Sequence, residues 1–377
     1  MRSIGWALIV ALAAAAAWAE DPDWSSMSYT LHKDYQAVDA AGNGTFPTHH
    51  ALVMRGVLIN WPATMLPTAA GFEPFLGGQW QECVQAVEED DFGGTALWMG
   101  QYYGHLPFIG DPLNVYSDEE WRAELHRLNH DPATGRLFRP GDLVEIRARA
   151  PGLFHNGKTN INEQHTVDLE ANFDVVLLQA NHSSPAPLTI TLADVKDDSD
   201  EFIFDATGIT GAEHYQAALV RIENVQFMDG TWGPNRQMTI GDGSGRTLPL
   251  LLGLGSGFTL YGPPTGAFDV VGVFDQEDAI EADGFKTGYR LWAMDYDGSR
   301  FVLLRHVKPD FDHDGDVDND DVAHFEQCAL GPAIPQTDPG CLDADFNYDG
   351  SVDSIDFATF QRCRSGAEEL ADLFCDQ

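Results

Sequence analysis

The chain has 377 residues, enough for two or three domains, and its 59 acidic against 21 basic side chains give a formal charge of −38. A surface of that sign repels phosphate backbones and anionic lipid, so nucleic acid is not an expected partner. Beyond the N-terminus no apolar run approaches the roughly 20 residues of a membrane helix, and no membrane span is expected.

Residues 1–19, MRSIGWALIVALAAAAAWA, combine one early Arg, an apolar run and Ala17-Trp18-Ala19 as a small-residue cleavage pattern. This is the pattern of a secretory signal cut before Glu20, and it predicts an exported protein, secreted or held in the cell envelope.

From about residue 30 to 307, short runs of Val, Ile, Leu and aromatics alternate with Gly, Pro, Asn and Asp, the rhythm of β structure. Strands are predicted over 51–60, 95–104, 142–150 and 173–180. Between the second and third, Ser117 and Glu120 form a capping box, Trp121, Leu125 and Leu128 fall on one helical face, and Pro132 ends the pattern. Strands, one helix and more strands is the order of an OB-type barrel, predicted here over 30–180. Residues 181–187, NHSSPAP, read as a linker. Further strands are predicted over 216–227, 237–252, 268–278 and 288–298, within a second β domain at 188–305. The run RIENVQF…TIGDGSG…FDVVGVF resembles the OB-like modules of exported bacterial proteins. The expected body is therefore two OB-like barrels, with a β-sandwich as the alternative.

Sites for chemistry are sparse along this body. There is no HExxH, C-x-x-C, P-loop lysine or G-x-S-x-G elbow. The glycine-rich LLGLGSGFTLYGPP (251–264) is expected to be a turn or loop rather than a phosphate cradle. His126 and His130 have metal-ligand spacing but no assignable third ligand, so a solvated helix face is expected; His49-His50 reads as a loop pair. Glu145, Glu223 and Asp275 are carboxylates from which a glycosidase pair would have to come, a question of spatial separation. The nine tryptophans are expected in the β core before a sugar-stacking platform.

The C-terminal 68 residues hold 18 acidic and 2 basic side chains, and so −16 of the charge. The run DFDHDGDVDNDD (310–321) returns thirty-five residues later as DFNYDGSVDSID (345–356). The copies share Asp310/Asp345, Phe311/Phe346, Asp314/Asp349, Gly315/Gly350, Val317/Val352, Asp318/Asp353 and Asp321/Asp356, then Ala323/Ala358, Phe325/Phe360 and Cys328/Cys363. A merely solvated acidic run needs neither a glycine at its sixth position nor an apolar residue at its eighth, whereas a calcium loop needs both. Calcium loops take oxygen ligands from positions 1, 3, 5, 7 (through the carbonyl), 9 and 12, and turn sharply at a glycine in position 6. Two Ca²⁺ ions are therefore expected: one on Asp310, Asp312, Asp314, Asp316, Asp318 and Asp321, the other on Asp345, Asn347, Asp349, Ser351, Asp353 and Asp356. Val317 and Val352 are expected to point inward and pair the loops across a small core.

Four of the five cysteines lie late. In an exported chain they are expected to pair as Cys328–Cys341 and Cys363–Cys375, each closing one half of the repeat; Cys328–Cys363, stapling the two helices, is the alternative. Cys83 is left over and expected to be a buried small apolar residue.

Pro309 and the QTDPGCLDA run disfavour a helix before either loop, but both loops run out into helical patterns, DDVAHFEQC and IDFATFQRC. Loop-then-helix, twice, resembles a type I dockerin over residues 310–366, within a C-terminal module at 306–377. Aspartate in place of glutamate at position 12 fits that family. The resemblance implies an anchoring module that docks onto a cohesin-like or cell-surface protein and often accompanies polysaccharide-degrading enzymes. Asn319-Asp320 and Ser354-Ile355 stand where cellulosomal dockerins often carry a Ser-Thr pair for cohesin contact. The expected function is an exported calcium-binding protein whose dockerin-like module anchors or assembles a non-catalytic β body. The alternatives are a polysaccharide-active hydrolase carrying a dockerin, and a carbohydrate or surface-ligand binding protein.

Overall fold

The structure is a computed structural model that describes residues 21–47, 50–66, 78–102, 116–149, 153–163, 172–183, 185–279, 284–372 and 374–376. The expected signal segment, His49 and Ser184 of the expected linker lie outside these residues.

The protein is mainly β, with about 19% of it helical. A short helix α1 (His32–Tyr35) precedes a seven-stranded sheet built from β1 (Leu52–Leu58), β2 (Gln79–Ala86), β3 (Gly94–Gly100), β4 (Leu143–Ala148), β5 (Leu153–His155), β6 (Lys158–Glu163) and β7 (Phe173–Gln179). Their order across the sheet is β5-β6-β3-β2-β1-β4-β7, antiparallel except for β3 against β6. Between β3 and β4 lies α2 (Asp118–Asn129), which opens on the expected capping box: the Ser117 side chain accepts from the Glu120 amide, and Glu120 accepts from the Ser117 amide. Trp121 and Leu128 are fully buried against the sheet, while Leu125 is only partly buried.

The second sheet is a five-stranded closed barrel with one added strand. It comprises β8 (Leu188–Ile190), β9 (Leu219–Gly230), β10 (Arg236–Gly241), β11 (Thr247–Leu252), β12 (Phe268–Gln276) and β13 (Tyr289–Ala293), with the one-turn α3 (Gly257–Leu260) between β11 and β12. The order β10-β11-β13-β12-β9-β8 closes through a β10–β9 pairing. Closure depends on the twelve-residue β9, which pairs β12 through Leu219–Val225 and β10 through its later half. Asn224, at φ 55°, marks a bulge between the pairs Val225–Phe268 and Ile222–Val270, and bulges of this kind bend a strand from one neighbour to the next. In β11, Leu248, Leu250 and Leu252 alternate inward and are fully buried. Pro249 lies before the pairing with β13 begins at Leu250, so no ladder bond on that side is lost. A two-stranded ribbon, β14 (Asp295–Tyr296) and β15 (Phe301–Val302), follows.

The two sheets share a plan. Three consecutive strands lie side by side (β1-β2-β3; β9-β10-β11), and a helix follows the third. The fourth returns to the first (β4 on β1; β12 on β9), and a later strand runs parallel to the third (β6 on β3; β13 on β11). Each has its own apolar core. Between them Ile59, Met65, Cys83 and Ala96 of the first pack on Leu219, Val273, Trp292 and Met294 of the second. Cys83 is the buried free thiol expected, and burial pushes it up to about 12.

Beyond the second sheet come α4 (Asn319–Cys328), a 3-10 turn (Pro339–Ala344) and α5 (Ser354–Cys363), around a core that includes Val307, Val317, Phe325, Phe346, Val352 and Phe360. Disulfides join Cys328 to Cys341 and Cys363 to Cys375, the expected pairing, which fits an oxidising environment. Among the described residues no helix is long and apolar enough to cross a membrane.

Candidate metal centre

The two acidic loops share one hydrogen-bonding scheme, residue for residue. The first aspartate folds inward: Asp310 accepts from the Asp314 and Gly315 amides, each at 3.1 Å, and Asp345 accepts from Asp349 (3.2 Å) and Gly350 (2.8 Å). The twelfth closes the loop. Asp321 accepts from Phe311 and Asp318, each at 2.8 Å, and Asp356 from Phe346 (2.8 Å) and Asp353 (2.9 Å). Asp318 and Asp353 are the N-caps of α4 and α5, so ninth and twelfth residues also form the capping boxes of the exit helices. Each loop turns at its glycine in the left-handed region, Gly315 at φ 96° and Gly350 at φ 87°; His313 and Tyr348, two residues earlier, both sit at φ 61°.

Val317 and Val352 are fully buried, as expected. They do not bond to each other. The Val317 carbonyl accepts from Ser365 and Gly366 after the second helix, while the Val352 carbonyl accepts from Leu330 and Gly331 after the first. These acceptors and donors are related by the 35-residue repeat, so each half clasps the other through a pseudo-twofold exchange.

In the first loop, Asp310, Asp312 and Asp314 each bring a carboxylate oxygen within 4.8 Å of the others, and Asp316, Asp318 and Asp321 do the same. Burial, joined by the neighbouring Asp314 charge, raises Asp312; burial pushes Asp316 and Asp321 up to about 6 each, and nearby aspartates add to both. Such a set of crowded oxygens suits a hard divalent cation, which reverses the cost of ionising them. The second loop is milder. Asn347 accepts from the Asp349 amide at 2.9 Å, and Asp349, held low by hydrogen bonds from Ser351, accepts from the Ser351 amide and hydroxyl.

One carboxylate oxygen of Asp316 is engaged outside its own loop. It meets Arg139 at 2.8 Å and the Glu368 amide at 2.9 Å, consistent with a position that would offer an ion its carbonyl instead. Arg139 also reaches Asp314 at 2.9 Å. This arginine lies in the β body, far earlier in the chain, and no sequence signal marks it. Two more contacts seat the module: Arg305 on Asp376 (3.1 Å) and the Leu137 amide on Glu368 (2.9 Å). Module and body border a groove of about 2100 Å³, lined in part by Trp61, Tyr261, Arg300, Lys308, Asp314 and Tyr348.

The other candidates have structural partners. Asp275 is buried against Lys158 (2.6 Å) and Arg290 (2.8 Å), Glu145 accepts from Tyr29 and Arg147, and Glu223 lies beside Arg221 at the surface. His126 and His130 stack at 4.1 Å. The glycine-rich segment does run from strand β11 into the one-turn α3, unlike the expected plain loop. Its glycines serve close packing: a Cβ on Gly257 would lie 1.6 Å from the Tyr296 carbonyl oxygen, and the Gly257 amide donates to Asp295. Trp61, Trp80, Trp98, Trp121 and Trp292 are buried.

No protein-family model matches the chain, and no curated protein matches it. Among solved structures, a chain of a replication protein A heterotrimer bound to single-stranded DNA aligns with 58% of this chain at 9% identity and a TM-score of 0.24. This chain spans 42% of that chain's length, and a likeness so weak implies neither fold nor ligand.

Proposed function

We propose that this is an exported calcium-binding protein whose dockerin-like C-terminal module anchors or assembles a non-catalytic body of two OB-like units. The observation that carries the reading is the matched pair of loops, each with its first and twelfth aspartates folded inward onto loop amides and its glycine in the left-handed turn. In this reading the first ion sits among Asp310, Asp312, Asp314, the Asp316 carbonyl, Asp318 and Asp321. The second sits among Asp345, Asn347, Asp349, the Ser351 carbonyl, Asp353 and Asp356. The shared sheet plan supports two OB-like units, since a helix after the third strand and a fifth strand parallel to the third belong to that barrel.

The test is a calcium titration of the full chain, followed by affinity capture from the envelope and secreted fractions of the producing organism. Two equivalents of Ca²⁺, and a cohesin-like or cell-surface partner retained with calcium and released by chelator, are expected. Fewer than two ions would remove the calcium reading. Two ions with no partner under either condition would leave calcium as a structural staple and remove the anchoring role.

The groove beside the first loop favours a second reading, in which the body binds a carbohydrate or other surface ligand there. Saturable binding of soluble oligosaccharides, lost on Tyr261→Ala or Tyr348→Ala, is its signature.

A further inference from the structure

Four side chains that no calcium position uses meet on the outside of the first half-repeat. His324 and Cys328 stand four apart on α4 and so share one face. Cys341 and Asp343 lie on the 3-10 turn Pro339–Ala344, which the Cys328–Cys341 bond holds against that face. His324 Nε2 lies 3.2 Å from the Asp343 carboxylate and 3.8 Å from Cys328 Sγ. The Phe311 ring packs on the imidazole at 4.3 Å between centroids and holds it in that orientation. His324 is about one-third exposed and Asp343 half exposed, so the cluster opens to solvent.

We propose that, once the Cys328–Cys341 disulfide is reduced, His324, Cys328, Cys341 and Asp343 form a tetrahedral site for Zn²⁺ or a similarly thiophilic divalent ion. Zinc binds imidazole and carboxylate at about 2.0–2.2 Å and thiolate at about 2.3 Å, so the edges of its ligand tetrahedron run from roughly 3.3 to 3.8 Å. The His324–Asp343 and His324–Cys328 separations lie close to those edges, and Asp343 and Cys328 bring ligand atoms within 4.8 Å of each other; the Cys341 sulfur, once released from Cys328, must swing about 3.8 Å from its former partner to take the fourth corner. The redox step is balanced by a dithiol reductant. It gives two electrons and two protons, becomes a disulfide itself, and leaves two cysteine thiols whose protons the metal displaces to solvent. The loop-to-helix join closed by the disulfide in an oxidising compartment would then be closed by metal in a reducing one.

The second half-repeat is an internal control. Cys363 and Cys375 form the corresponding disulfide, but Thr359 stands where the repeat places His324. Two sulfurs without the imidazole do not complete a zinc site.

The test uses the full chain in excess calcium, which keeps the carboxylate loops from taking the probe. Zn²⁺ is titrated against a chromophoric chelator and Co²⁺ against its visible and thiolate charge-transfer absorption, each with and without a phosphine reductant. One equivalent with a tetrahedral thiolate Co²⁺ spectrum is expected in the reduced chain only. His324→Thr, which copies the second half-repeat at a partly exposed position, should weaken it at least tenfold, and Asp343→Asn should weaken it too. Cys363→Ser with Cys375→Ser should leave it unchanged. Equal uptake in both redox states, no uptake on reduction, or unaltered affinity in His324→Thr overturns the proposal.

Discussion

Arg139 stands 2.9 Å from Asp314, the fifth residue of the first acidic loop, and so places a cation from the β body where that loop would use a carboxylate as ligand. The same guanidinium covers Asp316, whose side chain is almost wholly buried. Arg139→Ala removes a competitor for Asp314 and a partner for Asp316. Two-site calorimetry should then show calcium binding tightened more at the first loop than at the second, and a calcium-free protein destabilised by roughly 1–3 kcal/mol. Unchanged affinity at the first loop would mean that ion and arginine do not share Asp314.

Within the loops, side chains divide into those facing inward and those facing out. Asp310 bonds inward to two loop amides, whereas Asp320 occupies the eleventh, non-ligand position. Asp310→Ala should lower first-site calcium affinity at least a hundredfold and Asp320→Ala less than threefold, since one removes a ligand and the other only distant charge. Equal losses would show that the ligand register is wrong.

The exchange between Val317 and Val352 makes the two loops one cooperative unit. Chelation should expose the amides of Leu330, Gly331, Ser365 and Gly366 to hydrogen exchange together, because each donates across the pseudo-twofold. Amides of β1 and β11 should keep their protection. A body that melts with the module on chelation would contradict this independence.

Both loop glycines need positive φ, but their surroundings differ. A Cβ on Gly315 would lie 3.0 Å from the Trp61 ring of the body, whereas nothing lies within 4 Å of the same atom on Gly350. Alanine at either position should cost about 1 kcal/mol or more for backbone strain, with Gly315→Ala the more damaging of the two. Comparable melting shifts would show that the Trp61 contact yields without cost.

On the 3-10 turn Ala212–Tyr215 that leads into β9, burial pushes Glu213 up to about 7 from its ordinary 4.5, partly offset by the hydrogen bond it accepts from Tyr289 of β13. Between those values the folded chain holds a proton that the unfolded chain has released, so this group's contribution to stability falls as pH rises from 4.5 to 7. The slope from this one group approaches about 1.4 kcal/mol per pH unit. Denaturant titrations should show a flatter profile for Glu213→Gln over that window; an identical slope would assign the pH dependence to other groups.

The sequence determined whatever rests on local pattern. The glycine and valine at fixed loop positions and the Ser117 capping box are short-range requirements, each legible within a dozen residues, and the repeat is legible by laying two such stretches side by side; the choice of Cys328–Cys341 over Cys328–Cys363 was left to the structure. Polar strands escaped it. In β6, KTNINE shows no apolar alternation because Lys158 is buried against Asp275 of the other sheet, a partner 117 residues away. In β2, Trp80 and Val84 face the first sheet's own core while Cys83, on the opposite face, packs on the second sheet, so both faces are buried and the strand shows no alternation. Only tertiary structure decided that β10 closes on β9, that Val317 and Val352 bond past each other, and that Arg139 rests on the first loop. Those contacts join residues far apart in the chain, and the energy that selects them comes from burial and charge pairing that local composition does not encode.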